Sequence, residues 1–385
     1  MRSYYSFQLT KLLLVYVCNL CISVSLSGST EISTAPTTNQ ENECLSFHQA
    51  YLNFAQEYNG NFHLVAQPTG GLSDSLTGFV TSFLLAYASG RKFYLAKEST
   101  LSQAVESKFS LSTAGFESWN EGRTILLQKK DPSRLLKNII VARDSIIRVK
   151  GNRGAVYGIV TSPEFKKYDP MRLLDVGTDY IFGCISRLIA IPSKNTRKYF
   201  ESEIDKLQSS KQALKVGVQI RTREALRSQS FSTGNFMSTK LYRIFYDCVI
   251  ALRKRNRSMI VFLLSDSVEL RHKMIEDLQK NDIEAFTTQV GMVREINDEV
   301  NRGYANKSVS QAQEVFGESF VFSLCDVFIY TKNSGYGRVA AARAMLTTPY
   351  YPVSVRKRVG SISSGKQCLG DGFLMKHIAR DSAGL

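Results

Sequence analysis

A chain of 385 residues is long enough for two domains with cores of their own, and with 43% hydrophobic and 22% charged residues it has the balance of a globular protein, which excludes a disordered one. The formal charge of +15 is scattered along the chain, with no basic arm and no compact basic-aromatic RNA motif, so no nucleic-acid partner is expected. A nucleotide-sugar, an acidic glycan or an anionic membrane surface suits the charge equally.

Arg2 and Lys11 precede a mainly apolar run over residues 12–26, closed by the small residues Ser25, Ser27 and Gly28. Basic flank, apolar centre and small-residue exit make the pattern of a secretory signal. A membrane span needs about 20 apolar residues, whereas this run is shorter and contains Asn19, so a cleaved signal is favoured over an anchor. Residues 1–27 are read as signal peptide or signal anchor. The first places the rest of the chain in the ER lumen or outside the cell, the second in the Golgi lumen as a type II membrane protein. Residues 28–43, rich in Ser, Thr, Asn and Gln, read as a stem or linker.

The folded part is expected to begin near Cys44. Cys44, Cys184, Cys248, Cys325 and Cys368 remain in the body; five allow at most two internal bridges, and sequence does not give the pairing. Cys248 and Cys325 lie in apolar segments and read as buried thiols. No CxxC pair or His–Cys cluster has metal-ligand spacing. Asn256 and Asn306 each open an N-glycosylation sequon.

In chain order, residues 63–67 form a short strand candidate, followed by the turn Pro68-Thr-Gly-Gly. Leu76, Phe79, Val80, Phe83, Leu84 and Tyr87 then recur at helical spacing, Gly90 stops the helix, and residues 92–96 resume a strand. This is one βαβ unit of the length a parallel crossover needs. Gly70 and Gly71, opening the helix, can hold an anion on backbone N–H groups, or simply allow the tight turn. Asp74 either caps the helix or serves as a base facing a cleft. Residues 139–143 and 145–149 are strand candidates, residues 180–191 a core helix, and residues 195–210 a polar connection. A first domain over residues 44–195 follows, with a boundary near residues 193–212.

Residues 213–350 repeat the alternation more clearly. KVGVQIRTRE, from Lys215, begins as a buried strand and breaks into charge at Arg221 and Glu224. Helix 241–253, strand 259–264, helix 268–278, strand 284–288, helix 312–324, strand 327–330 and helix 338–346 follow, and the alternation predicts a doubly wound sheet. Gln219-Ile-Arg221, Ser265-Asp266-Ser267 and the turn from Thr331 to Gly337 would then gather at one rim, where α/β sheets bind ligands. The last turn offers Asn333, Ser334, Gly335 and Tyr336 beside backbone N–H groups suited to a diphosphate. Asp266 and Asp326, acceptors only, suit a donor-rich purine edge or ribose hydroxyls. Residues 351–385 read as a tail without a chemical pattern.

KVGVQIRTRE resembles the first motif of the GDP-fucose-dependent fucosyltransferase superfamily, a strand followed by His-x-Arg. IVFLLSDSVELRHKM and FVFSLCDVFIYTKNSGYGRVAAARAM resemble its second and third motifs, and TGGLSDSLTGF is similar to the GGLGDRL-type opening of plant, algal and bacterial members. The resemblance implies a GT-B architecture, two Rossmann-like domains facing a cleft, and inverting transfer from GDP-fucose to a glycan or glycoprotein hydroxyl, with no cofactor and no metal. It implies Arg221 on the β-phosphate, Ser334 and Gly335 on phosphate, Asp326 towards guanine, and Asp266 near ribose or base. Two positions depart from the pattern: Gln219 stands for the usual His and Ser75 for the usual Arg. Glu224 and Asp74 are the candidates for the base. The departures leave open another GDP-sugar, or a non-catalytic member that binds nucleotide or glycan.

Overall fold

The computed structural model describes residues 39–96, 99–106, 122–127, 132–151, 154–222, 239–254, 258–288, 309–332, 334–345 and 350–353. The first region holds α1 (Asn39–Glu57), β1 (His63–Pro68), α2 (Leu72–Ala88), β2 (Lys92–Leu95), α3 (Thr100–Ala104), β3 (Val105–Glu106), β4 (Arg123–Leu126), α4 (Pro132–Ile140) and β5 (Ile146–Gly151). After it come α5 (Val156–Val160), α6 (Pro163–Lys167), a 3₁₀ turn over Leu173–Val176, α7 (Ile181–Ile189), β6 (Ile191–Pro192), α8 (Lys194–Tyr199) and α9 (Glu201–Ser209). The second region holds β7 (Leu214–Ile220), α10 (Thr239–Arg253), β8 (Met259–Ser265), α11 (Val268–Gln279), β9 (Glu284–Phe286), α12 (Val309–Phe322), β10 (Val327–Thr331), α13 (Gly335–Ala344) and β11 (Tyr350–Val353).

Two parallel sheets result. The first runs β2-β1-β5-β4 and the second β11-β10-β7-β8-β9; every pairing within them is parallel. This mixed α/β architecture is the GT-B fold expected from the sequence. In each sheet the chain starts in the middle, builds outward on one side, then returns to the other. That reversal leaves a crevice between the carboxyl ends of two central strands: β1 and β5 in the first sheet, β7 and β10 in the second.

The strand residues explain the layers. Along β7 and β8, Val216, Val218, Ile220, Val261 and Leu263 pack with α10 and α11. The alternate residues Ile260, Phe262 and Leu264 turn to the other core, shared with α12, α13 and the first sheet. Gly217 is small because a Cβ there would lie 2.9 Å from the Phe322 ring. Helix α2 is buried along nearly its whole length, so its hydroxyls bond within the helix: Thr81 Oγ1 donates to Thr77 O at 2.8 Å and Ser82 Oγ to Gly78 O at 2.8 Å, as buried polar groups must. Helix α1 docks on it through Phe47 and Tyr51, the latter 4.5 Å from Phe83 between ring centroids. Burying each such aromatic stabilises by about 2–3 kcal/mol.

Some expectations change. The chain is helical from Asn39, before Cys44. Residues 139–143 are not a strand: Leu136 and Ile139 are the buried face of α4, a helix with Pro132 as its first residue. The connection over residues 195–210 is two helices, α8 and α9. The tail beyond Pro349 contributes a strand: β11 pairs with β10, carrying Pro352 at a sheet edge, where a missing N–H is tolerated. Cys44 and Cys184 form a disulfide, and Cys248 is disulfide-bonded rather than a free thiol. Cys325 is a buried free thiol as expected. No helix among the described residues is long and apolar enough to cross a membrane, and the apolar run at residues 12–26 lies outside those described.

Candidate functional site

The crevice between β7 and β10 is stitched by side chains. Arg221 N–H donates to Thr331 Oγ1 at 2.8 Å, joining the ends of the two strands. The Arg221 guanidinium, about one-fifth exposed, stands 3.6 Å from Asp266 Oδ2. Asp266 Oδ1 accepts from Thr222 N–H at 2.7 Å and from Thr222 Oγ1 at 2.8 Å. Helix α11 is capped by Ser267, not Asp266, which releases that carboxylate to orient Arg221. Asp266 is thus engaged with Arg221 and Thr222.

Two helix amino ends meet at the same rim. Helix α2 starts at Gly71 and α13 at Ser334, and neither has a side-chain cap. Their first N–H groups carry the positive end of each helix dipole. A Cβ on Gly335 would lie 2.6 Å from Ser73 Oγ, so the two turns touch and only glycine fits. Gly70 takes φ 92°, a left-handed conformation that favours glycine, and Ser75, buried, donates to Gly70 O at 3.1 Å. In place of the expected Arg, Ser75 holds the glycine turn. Asp74 is exposed in the first turn of α2.

Beside the crevice lies a buried polar group that sequence reasoning missed. Arg271 of α11 and Glu318 of α12 form an ion pair at 2.9 Å, both side chains nearly inaccessible. Arg271 Nε donates to Ser265 O at 2.7 Å and Nη1 to Thr288 Oγ1 at 3.0 Å. Yet Arg271 Nη2, Glu318 Oε2 and Gln219 Oε1 are buried without a hydrogen-bond partner among the described residues. Gln219 Oε1 lies against Gly337, 2.9 Å from where a Cβ would stand. Burial raises the Glu318 pKa, against the lowering pull of Arg271. A charge inside the apolar run Val315–Phe322 was the available signal, since buried acids are rare unless paired. Tyr336, near enough to Glu318, Arg271 and Arg221 to feel their charges, donates its hydroxyl to Val315 O at 3.0 Å, and burial pushes that hydroxyl's pKa well up.

Arg221, Gln219, Ser265, Asp266, Ser334, Gly335, Tyr336, Gly70, Gly71 and Asp74 therefore lie at or beside these carboxyl ends. Asp326 does not. Its Oδ2 accepts from Lys215 N–H at 2.9 Å, at the amino end of β7, and at about 3.3 Å per residue that is about 20 Å from Arg221. Its expected place towards guanine is corrected: residues that precede a parallel strand sit on the opposite rim. Glu224 and Asn333 lie outside the described residues, as do the sequon positions Asn256 and Asn306. Cys44, His48 and Cys184 bring three ligand-type atoms within 4.8 Å, a cluster the spacing did not reveal, but the disulfide engages both sulfurs.

No protein-family model matches the chain, and no curated protein sequence matches it. Solved structures do. An Arabidopsis thaliana FUT1 mutant in complex with GDP superposes with a TM-score of 0.56 at 10% identity, over 86% of this chain and 83% of that one. The fold is therefore shared. NodZ α-1,6-fucosyltransferase of Bradyrhizobium, co-crystallised with GDP, has a TM-score of 0.41 at 14% identity, covering 74% of this chain and 93% of that one. POFUT1 in complex with GDP-fucose has a TM-score of 0.41 at 11% identity, covering 77% and 98%.

Proposed function

We propose that the chain is a glycosyltransferase of the secretory pathway that transfers fucose from GDP-fucose, with inversion and without a metal ion, to a hydroxyl of a glycan or glycoprotein. The observation that carries this reading is the convergence, at the switch point of the second sheet, of Arg221 with the uncapped amino ends of α2 and α13. A sugar diphosphate brings two adjacent charged groups, and an arginine fork with two helix ends matches them. The departing GDP gains charge as the sugar–oxygen bond breaks, and preorganised positive groups stabilise that charge most.

On this reading the base lies next to the phosphates. Glu318 Oε2 is an acceptor and Arg271 Nη2 a donor, both buried and without partners among the described residues; a purine that carries N–H and carbonyl groups side by side satisfies both. Gln219 Oε1 adds an acceptor. On the acceptor side, Asp74 stands exposed on the first turn of α2 and takes the proton of the attacking hydroxyl.

Release of GDP from GDP-fucose in the presence of a glycan array tests transfer. Acceptor-dependent release, lowered at least about 100-fold in Asp74→Asn as expected for loss of a positioned base, supports the reading. Tight GDP binding with no release on any acceptor would favour a binding protein that Gln219, in place of His, has left without turnover.

A further inference from the structure

The carboxyl end of α13 is held by an arrangement the nucleotide site does not explain. Gly183 of α7 approaches α13 so closely that a Cβ there would collide with Ala342 O and Met345 Cγ. At this contact the two helices exchange arginines. Arg187 of α7 donates from Nε to Arg343 O at 2.9 Å and from Nη2 to Ala344 O, satisfying carbonyls that a helix end leaves open. Arg343 of α13, buried, donates from Nη1 to Ser186 O at 2.6 Å and lies over the rings of Phe316 and Phe320. Burial, and then the charge of Arg187, lowers its pKa to about 9.

The clasp is tied further back. Arg187 Nη1 pairs with Glu41 of α1 at 3.2 Å, and the Cys44–Cys184 disulfide joins α1 to α7 beside Gly183. Helix α13 itself ends in Met345 at φ 54°, a left-handed residue that is not glycine and carries strain. The end is held by its neighbours.

We propose that Arg187 is a positioning residue for the nucleotide-sugar, anchoring the carboxyl end of α13 so that its amino end stays fixed against Ser73 and Arg221. The inference rests on the nucleotide reading above. A helix of 10 residues is a stiff rod about 15 Å long, so a tilt at its anchored end displaces the N–H groups at the other. A displacement of about 1 Å is enough to cost up to 100-fold in a positioned reaction.

The test uses the full chain as wild type, Arg187→Met and Arg187→Lys, with GDP titrated by calorimetry and α13 followed by hydrogen exchange. Arg187→Met is expected to weaken GDP about 10-fold and to speed exchange in α13 while β1 and β5 keep their protection. Arg187→Lys, which keeps the charge but cannot fork onto two carbonyls, recovers part of the affinity. Unchanged GDP affinity in Arg187→Met, over a wild type that binds, overturns the positioning role alone. Exchange that rises equally in all strands overturns it too, because the arginine then supports only global stability. A wild type that binds no GDP overturns the nucleotide reading and the positioning of that ligand with it.

Discussion

The two rims of the second sheet are made of the same strands but differ in what their polar groups do. At the amino rim Asp326, just before β10, is bonded to the neighbouring strand β7, accepting from Lys215 N–H, while Asp326 N–H donates to Lys215 O at 2.8 Å. At the carboxyl rim Asp266 does comparable work for Thr222 and Arg221, but the groups around it keep buried donor and acceptor atoms without partners among the described residues. An unsatisfied buried polar atom costs about 1–3 kcal/mol. A rim that retains several is organised for something other than its own stability.

The sharpest way to break this contrast is Arg221→Ala, expected to lower turnover by about 100-fold or more with little change in melting temperature; an equal loss from Asp326→Asn would erase the distinction between the rims. Next comes the buried pair. Glu318→Gln leaves the Arg271 charge uncompensated and should destabilise by about 3–5 kcal/mol in urea unfolding. The double replacement Arg271→Met with Glu318→Leu should restore stability yet lose discrimination between GDP and UDP, a result that stability alone does not predict. Gly335→Val, driving a side chain into Ser73, should weaken GDP without unfolding the chain. Asp326→Asn retains an acceptor for Lys215 N–H and should shift stability by no more than about 1 kcal/mol, leaving GDP affinity untouched. Smallest is a pH effect at the amino end of β1. Burial, then Lys92 and Arg91, lowers the His63 pKa, so the unfolded chain takes up the proton first. Stability present above pH of about 6.5 is lost as pH falls, by less in His63→Gln.

The sheets were legible because buried parallel strands are continuous apolar runs and their crossover helices are periodic: β7, β8, α11 and β10 lie within a residue or two of where patterning puts them. Short segments were not. Ile139 and Ile140 look like a strand start, and only the spacing from Leu135 and Leu136 shows the helix. Arg221, Ser265-Asp266-Ser267 and the turn from Thr331 to Gly337 followed from topology, since residues after parallel strands share an edge. Asp326 precedes β10, so its place in the chain, not its charge, decides the rim it sits on. Arg271 and Glu318 stand 47 residues apart, and Cys44 and Cys184 stand 140 apart; such partners are joined by packing and leave no local pattern.

Central to the account is a diphosphate nucleotide held between Arg221 and two helix ends. Calorimetric titration of the full chain with GDP, GDP-fucose and UDP, repeated in Arg221→Ala, tests it most directly. GDP and GDP-fucose should bind in preference to UDP, and the substitution should abolish most of that affinity. Binding of none of the three, or GDP binding indifferent to Arg221, would contradict it.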